Sequence, residues 1–223
     1  SSAASDVYKR QLSAMSDLFI SLSGTELKAD QVNLYDFSGY VLEAGISTIV
    51  KKTDGSKDEW IEVARELEGK KVLTPPYCTR EYTKTATYDQ WFISLYRSFN
   101  NQYKRGVGVI ETAKQCKSVF KSIITYKKKN HEDAASIYVF DSNGDLIYPY
   151  DISQEYKAAL QPYYELTKGD DSALTFISPL TGKTEYAAEA VSSYTGYTYL
   201  TIQPESVVLA PVYNLIRILA AIV

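Results

Sequence analysis

The sequence predicts an α+β fold of two tandem modules, each a five-stranded antiparallel sheet with flanking helices, joined by a helix. Both halves follow one order: strand, Asp-x-x-Gly turn, strand, helix and three strands. The two turns begin at Asp36 and Asp141 and end at Gly39 and Gly144, so both differences (141 − 36 and 144 − 39) equal 105. A shared order of elements at a fixed offset indicates a duplicated unit, and each sheet needs helices to cover an apolar face.

The first module is expected to open with a hairpin, strands 32–35 and 40–44, because Gly39 can adopt the positive φ of a tight turn. A helix over 58–68 follows, since Trp60, Ile61, Ala64 and Leu67 share one face and Gly69 ends the pattern. Three strands complete the module: 72–77, interrupted by two prolines, then 91–99 and 103–111.

The pattern becomes helical directly after Glu111, with apolar residues on one stripe from Cys116 to Tyr126, and predicts a connector helix. The second module then carries its own six elements. They are strands 137–140 and 146–150, helix 153–166, and strands 173–178, 185–192 and 197–203.

The two ends of the chain lie outside the repeated modules. Residues 6–11, DVYKRQ, resemble an in-frame translation of a sequencing-library adapter, whereas 12–22 have helical apolar spacing. At the other end Pro204 terminates the last strand, a helix with Pro211 tolerated near its start should follow, and the run 218–223 is apolar. This run is either the first turns of a membrane-spanning helix, or part of an ordinary helix packed on its own domain.

Composition narrows the function classes. The formal net charge is −3 with both signs interspersed, which argues against a nucleic-acid partner. There are 20 tyrosines against 7 phenylalanines, and tyrosine suits binding grooves and interfaces because it joins an apolar ring to a polar tip. Cys78 and Cys116 lack metal-ligand spacing, which leaves a disulfide or two buried thiols.

Catalysis has little support in the sequence. The one histidine, His131, lies in a polar segment typical of a solvated loop, and no nucleophile elbow, phosphate-binding loop or metal motif occurs. Gly106 and Gly108 fall within a strand, where they permit close packing rather than nucleotide binding. We therefore expect no catalytic residues, no metal and no cofactor in this chain.

A small-molecule pocket in the first module is better supported. Alternation in strand 91–99 places Trp91 and Arg97 on one face and Tyr96 on the other, and Glu111 ends the next strand. Together with Trp60 and the loop that ends in Tyr77, these six residues predict a ligand pocket with aromatic walls and two charged groups. The competing interpretation is that Arg97 and Glu111 pair with each other or with solvent, and that the tryptophans are core residues.

Five segments carry a family resemblance: TPPY at 74–77, ISLYRSF at 93–99, GVGVIE at 106–111, IYVFDSNGDLIY at 137–148 and SSYTGYTYLTIQPESVVLAPV at 192–212. In this order the chain resembles the double Cache sensor region, two PAS-like modules outside the membrane, of bacterial sensor histidine kinases. The resemblance implies a ligand in the membrane-distal first module, flanking membrane helices, a cytoplasmic output module and a homodimer. It also places Glu111 where amino-acid-binding members have an aspartate for the ligand amine, and Tyr77 or Tyr82 at an aromatic pocket position. The Arg-x-Trp-Tyr pattern for a ligand carboxylate does not occur, so a sugar or another small polar molecule suits the pocket equally well.

The resulting domain assignment has five parts: 1–11 an adapter artefact, 12–111 the N-terminally truncated distal module, 112–130 the connector helix, 131–204 the proximal module, and 205–223 the exit helix with the start of a transmembrane segment. The leading function is extracellular or periplasmic sensing of a sugar, amino acid or carboxylate by a two-component histidine kinase. A chemoreceptor or a cyclic-dinucleotide enzyme can carry the same region. An anchored protein-interaction module without a small ligand is the alternative from a different class.

Overall fold

The computed structural model describes residues 29–37, 39–45, 49–52, 59–79, 89–100, 106–130, 135–168 and 173–220. The predicted helix at 12–22, the adapter-like residues, Tyr82 and His131 lie outside these ranges. Internal contacts divide the chain into two compact units, with the boundary between Val119 and Phe120.

The first unit is built on one antiparallel sheet with the strand order β3-β2-β1-β7-β6-β4, in which β5 also pairs with β6. Its strands are β1 (Gln31–Asp36), β2 (Tyr40–Gly45), β3 (Ile49–Lys52), β4 (Lys71–Leu73), β5 (Tyr77–Thr79), β6 (Gln90–Asn100) and β7 (Gly106–Gln115). The sheet thus has seven strands instead of five, because β3 extends one edge and the predicted strand 72–77 is split into β4 and β5.

Two prolines cause that split. Val72 pairs with Tyr96 and Tyr77 pairs with Phe92. The edge segment therefore advances by five residues while β6 advances by four, which leaves one extra residue in the edge segment. Pro75 and Pro76 lie in this interval and have no N–H for the ladder. Thr74 keeps the edge attached: its N–H donates to the Ser94 carbonyl (2.9 Å) and its hydroxyl oxygen accepts from the Ser94 N–H (3.0 Å).

Helix α1 (Glu59–Glu66) covers one face of this sheet, which confirms the predicted helix. Ile61 and Ala64 are buried in a cluster with Tyr96 and Val109, and Trp60 packs against it. Beyond the helix, Gly69 adopts a left-handed φ of 88°, as expected of a residue that ends a helix.

The two Asp-x-x-Gly turns have the same hydrogen bond. The Gly39 N–H donates to the Asp36 carbonyl (3.2 Å) and the Gly144 N–H to the Asp141 carbonyl (3.1 Å). Both glycines have positive φ, 97° and 89°. The structure therefore confirms that the two turns correspond.

The connector begins later than predicted. Strand β7 continues past Glu111 to Gln115, because Ala113 pairs with Gln31 on β1 and Gln115 with Phe92 on β6. The prediction of helix directly after Glu111 is therefore wrong: 112–115 are strand, and non-local pairing overrides the local helical pattern. The helices that follow are α2 (Cys116–Val119) and α3 (Lys121–Asn130).

The second unit has one five-stranded antiparallel sheet of order β10-β11-β12-β8-β9, covered by α4 (Gln154–Glu165). Its strands are β8 (Ser136–Phe140), β9 (Leu146–Tyr148), β10 (Ala173–Ile177), β11 (Thr184–Val191) and β12 (Thr198–Pro204). The strands of each module can be numbered in chain order, with β4 and β5 counted as one strand and β3 left out as an addition. Across both sheets the strand order is then second, first, fifth, fourth, third. This shared order confirms the duplicated module.

The exit of the chain is two helices rather than one. Helix α5 (Glu205–Val208) is separated from α6 (Ala210–Ala220) at Leu209. Pro211 explains the break, because its missing N–H and its ring prevent a regular bond to the carbonyl of Val207, four residues earlier.

The two cysteines form no disulfide. Cys78 is exposed on β5 and Cys116 is buried. Both predicted alternatives, a disulfide and two buried thiols, are therefore wrong. Burial raises the pKa of the Cys116 thiol to about 12, which keeps it protonated and unreactive at neutral pH.

A tyrosine of α4 links the helix to the second sheet. The Tyr163 hydroxyl donates to a carboxylate oxygen of Glu185 (3.1 Å) and lies 2.8 Å from the Ser178 hydroxyl. Burial, together with the negative charge of Glu185, raises the pKa of Tyr163 to about 12. The neutral phenol is thus part of the folded core.

The close approach of β1 to β7 depends on Gly108. A Cβ added there would lie 2.4 Å from the Tyr35 carbonyl oxygen and 2.7 Å from the Phe99 ring, whereas one added at Gly106 would meet nothing nearer than 3.5 Å. We expect Gly108→Ala to lower the free energy of unfolding by about 1–3 kcal/mol, and Gly106→Ala to change it by less than about 0.5 kcal/mol. Urea unfolding followed by circular dichroism measures both, and equal effects would contradict the packing described.

The raised pKa of Tyr163 predicts loss of stability in alkali. Below pH 10 the phenol is neutral in both states; above it the unfolded chain releases a proton that the folded chain retains until about pH 12. The free energy of unfolding should therefore fall as the pH rises from about 10 to 12. In Tyr163→Phe the fall across this window should be shallower, and an unchanged slope would show that other groups cause it.

Candidate functional site

The candidate site centres on Glu111, whose side chain is 0% exposed. It lies on β7 between Asn33 of β1 and Tyr96 of β6, its partners in the two neighbouring strands. Residues paired in this way point to the same face of a sheet. Because Tyr96 packs on α1, Glu111 faces the helix-covered side of the first unit.

One carboxylate oxygen of Glu111 is held by β1. Oε2 accepts a hydrogen bond from the Asn33 amide and another from the Tyr35 hydroxyl, each 2.8 Å long. Gln31 extends this row, since its Nε2 donates to Oδ1 of Asn33 (2.9 Å). Alternate residues of one strand thus orient the carboxylate.

The other oxygen is held by strands at the opposite edge. Oε1 accepts from the Ser94 hydroxyl of β6 (2.6 Å) and, at 3.4 Å, from the Tyr77 hydroxyl of β5. The Tyr77 and Ser94 hydroxyl oxygens are 2.6 Å apart, so they also bond to each other. Tyr77 is the member of this group that comes from the split edge strand.

We refer to Gln31, Asn33, Tyr35, Tyr77, Ser94 and Glu111 as the Glu111 cluster. Its hydrogen bonds to the carboxylate are charge-assisted, each worth about 1.5–3 kcal/mol, and they offset the cost of burying the charge. The cluster joins one negative charge to tyrosine hydroxyls that can also accept hydrogen bonds. These buried acceptor groups suit a ligand that donates hydrogen bonds, through hydroxyl or amino groups.

The structure brings together four of the six predicted pocket residues. Tyr77 and Glu111 belong to the cluster, Tyr96 is the strand neighbour of Glu111, and Trp60 packs on the same side with α1. Trp91 and Arg97 lie on the other face of the sheet. Trp91 pairs with Cys78 and Arg97 with Ile110, and these partners are the chain neighbours of Tyr77 and Glu111, so their side chains point to the opposite side.

Arg97 and Glu111 are therefore not an ion pair. The Arg97 side chain is exposed and its Nε donates to the Gly69 carbonyl (2.6 Å), which holds the turn between α1 and β4. Alternation alone separated Arg97 from Tyr96; the β6–β7 register then placed Glu111 with Tyr96.

The sequence pattern did not indicate four members of the cluster: Gln31, Asn33, Tyr35 and Ser94. In β1 it is the polar residues Gln31 and Asn33 that are fully buried, while Val32 and Leu34 are half-buried. Alternation of polar and apolar residues shows that a strand has two faces, but the usual assumption assigns the buried face to the apolar set. The amide side chains of Gln31 and Asn33, at alternate positions of β1, were the sequence feature that could have indicated a buried polar face.

The second unit offers different features. Glu185 is buried and accepts from Tyr163 of α4, as described above, and from the Thr181 hydroxyl at 3.4 Å. A mainly apolar cavity of about 780 Å³ involves the sheet face opposite α4, where Tyr126, Ile137 and Val208 contribute side chains. Across the described ranges of both units, no group of three His, Cys, Asp or Glu residues is placed to hold a metal ion.

No family model matches the chain, and no curated protein matches it in sequence. Solved structures do match. The extracellular domain of rpHK1S-Z16, assigned as a histidine kinase, has a TM-score of 0.60 at 18% identity over 93% of this chain and 88% of its own. The ligand-binding domain of Mlp24, solved with asparagine, has a TM-score of 0.55 at 18% identity over 94% and 87%.

A third match is the ligand-binding domain of the Pseudomonas aeruginosa PAO1 amino-acid chemoreceptor PctC, in complex with GABA. Its TM-score is 0.56 at 10% identity, over 78% of this chain and 74% of that domain. These similarities agree with the duplicated strand order and with the covering helix of each unit. The chain therefore has the tandem PAS-like, double Cache fold that is found in the extracellular sensor domains of histidine kinases and chemoreceptors.

Proposed function

We propose that this chain is the extracellular, small-molecule-sensing region of a membrane-bound two-component histidine kinase, and that it is not itself an enzyme. The observation that carries the proposal is the Glu111 cluster: a fully buried carboxylate that gathers hydroxyl and amide groups from β1, β5 and β6. Buried polar groups converging beneath one helix are typical of a ligand site. The same fold serves as a ligand-binding domain in Mlp24 and PctC.

The ligand class follows from the charge of the cluster. A negative centre with acceptor hydroxyls favours a molecule that presents amino or hydroxyl groups, and repels a carboxylate brought close to Glu111. We therefore place sugars and the amino end of amino acids ahead of simple carboxylates. Mlp24 and PctC were solved with asparagine and GABA, both of which carry an amino group.

A route for the signal is built into β7. The strand that carries Glu111 runs to Gln115 and enters α2 at Cys116 without an intervening loop. A ligand shifts the protein between two arrangements only by its different affinity for them. In our proposal the first module, assigned to 12–111, senses, and the second, assigned to 131–204, relays the change to the exit helices.

In our proposal the signal passes to a cytoplasmic output module. Histidine kinases and chemoreceptors both occur among the matching structures, so a chemoreceptor is the second candidate. In either case we propose a homodimer as the full-length protein.

Membrane attachment through α6 is supported by the exposure of its apolar side chains. Val212, Tyr213, Leu215, Ile216 and Ile218 are each 50–60% exposed, although they project from different sides of the helix. Asn214 and Arg217 occupy one side of the helix, and the broad apolar surface on its other sides is typical of a helix that contacts lipid or another protein. Among the described residues no helix is both long and apolar enough to span a bilayer.

Ligand binding should be detectable by thermal shift. We expect a sugar or amino acid, at about 100 times its dissociation constant, to stabilise the chain by about 2.7 kcal/mol. Tyr77→Phe should abolish the shift, because it removes one hydroxyl at Glu111, whereas Arg97→Ala should retain it.

Arg97→Ala is a matched control because Arg97 occupies the same sheet but its opposite face. If Arg97→Ala abolishes the shift and Tyr77→Phe does not, the Glu111 cluster is not the site. If no sugar, amino acid or carboxylate shifts the melting temperature, the protein-interaction alternative is favoured.

Attachment through α6 can be tested by flotation with phosphatidylcholine vesicles. We expect the chain to float with the vesicles, and a variant with Leu215→Ser, Ile216→Ser and Ile218→Ser to remain in the soluble fraction, because each change removes exposed apolar surface. A wild-type chain that stays soluble and sediments as a dimer would instead assign these residues to a helix–helix contact.

A further inference from the structure

The mainly apolar cavity of the second unit lies on the sheet face that α4 does not cover. Its volume, about 780 Å³, is within the range of small-molecule sites. Its floor follows a row of paired residues across the sheet, in which Thr201 of β12 pairs with Ile137 of β8 and with Ala188 of β11. The side chains of Thr201 and Ala188 are short, so the middle of the floor is recessed. We call this cavity the Thr201 groove.

Two helices form the walls of the groove. Tyr126 belongs to α3 of the connector, and Val208 belongs to α5, which packs on β11 and β12. The two side chains are 37% and 39% exposed, whereas Ile137 on the floor is 9% exposed. The groove is therefore a cleft with apolar walls and not a flat sheet face, and exposed apolar surface around a cleft is typical of a binding site.

Hydrogen bonds position one polar group at the connector side of the groove. The Tyr126 hydroxyl oxygen accepts from the N–H of Ala135, another lining residue, at 3.2 Å. This bond fixes the tip of the side chain, and the hydroxyl proton has no acceptor among the described residues. On the floor, the Thr201 hydroxyl donates to the Ala188 carbonyl (2.9 Å), so its proton is used within the sheet. Tyr126 is thus a positioned donor beside a mainly apolar surface.

The lining of the groove disfavours charged ligands. Among the described residues that line it, none carries a formal charge, and the polar side chains are hydroxyls and one amide. A carboxylate or ammonium group brought here would lose its water without gaining a counter-charge. An uncharged apolar molecule avoids this cost and gains free energy as its surface leaves water.

We propose that the Thr201 groove binds a small, uncharged, mainly apolar molecule that accepts a hydrogen bond from the Tyr126 hydroxyl. This binding does not depend on the function proposed for the Glu111 cluster, which lies in the other unit and carries a charge. Only its consequence rests on that function. A molecule in the groove would contact α3, through which the signal enters the second module, and α5, through which it leaves, and so would give this module an input of its own.

The test uses N-phenyl-1-naphthylamine, an uncharged dye whose fluorescence rises in apolar surroundings, with the full chain. We expect a saturable rise, and Ala188→Phe should weaken dye binding at least about tenfold, because a ring on the floor fills the recess. Ala190→Phe should bind like the wild type, since Ala190 lies on the same face of β11 but outside the groove. Both variants should remain folded, because strands accept aromatic residues.

Displacement of the dye then tests the ligand chemistry. The compounds 2-acetylnaphthalene, 2-ethylnaphthalene and 2-naphthoate have similar shapes but carry a neutral acceptor, no acceptor and a negative charge. We expect the ketone to bind about three- to tenfold more tightly than the ethyl compound, and the naphthoate to bind at least about tenfold more weakly than the ketone. Tyr126→Phe should abolish the advantage of the ketone and leave the ethyl compound unaffected, which a general loss of structure would not do.

Four results would overturn the proposal. Equal dye binding by Ala188→Phe would assign the dye to another surface, such as α6, and equal binding of the naphthoate would contradict an uncharged ligand. A dimer that Ala188→Phe converts to a monomer would assign the groove to a second copy of the chain. The fourth is the absence of a fluorescence rise; if the rise then appears in a variant with Leu18→Ser and Phe19→Ser, residues 12–22, which lie outside the described ranges, occupy the groove.

Discussion

A buried carboxylate must be satisfied by hydrogen bonds, and in the first unit this requirement constrains the sheet. Glu111 receives donors from β1, β5 and β6, so these strands must stand in one register around β7. A slip of one residue would turn Glu111 to the opposite face and leave Asn33 and Ser94 buried without their partner. Leaving such groups unsatisfied costs about 1–3 kcal/mol each. The cluster thus specifies the pairing as well as shaping a candidate site.

The two modules share a strand order but place their buried carboxylates differently. In the first, Glu111 is bonded by strand residues, and α1 packs on the sheet through apolar side chains such as Ile61 and Ala64. In the second, Glu185 is bonded by Tyr163, which belongs to the covering helix. Apolar packing is non-directional, whereas hydrogen bonds fix orientation. A helix that packs mainly through apolar side chains adjusts more readily to a ligand than one tied by hydrogen bonds, which is consistent with the proposed sensing in the first module and relay in the second.

The sheet edge formed by β4 and β5 contacts the Glu111 cluster. Pro75 and Pro76 split the strand, Thr74 ties the gap to Ser94, and Tyr77 then reaches Glu111. Ser94 therefore contacts both the edge and the carboxylate. A ligand that displaces Tyr77 would act on β6 and β7 together, and β7 leads into α2. Coupling of this kind needs contiguous packed elements with two arrangements.

The amino-acid sequence by itself determined the elements and their duplication, because periodicity, glycine turns and helix ends are local properties. It predicted the turns at Asp36 and Asp141, the helix over Ile61, and the two faces of β6. Tertiary structure decided which faces meet: the β6–β7 register placed Glu111 with Tyr96 and away from Arg97, and pairing with β1 kept 112–115 in the strand. It also buried Asn33 in place of Leu34. Non-local pairing determines these features, and a reading of local pattern does not contain the register.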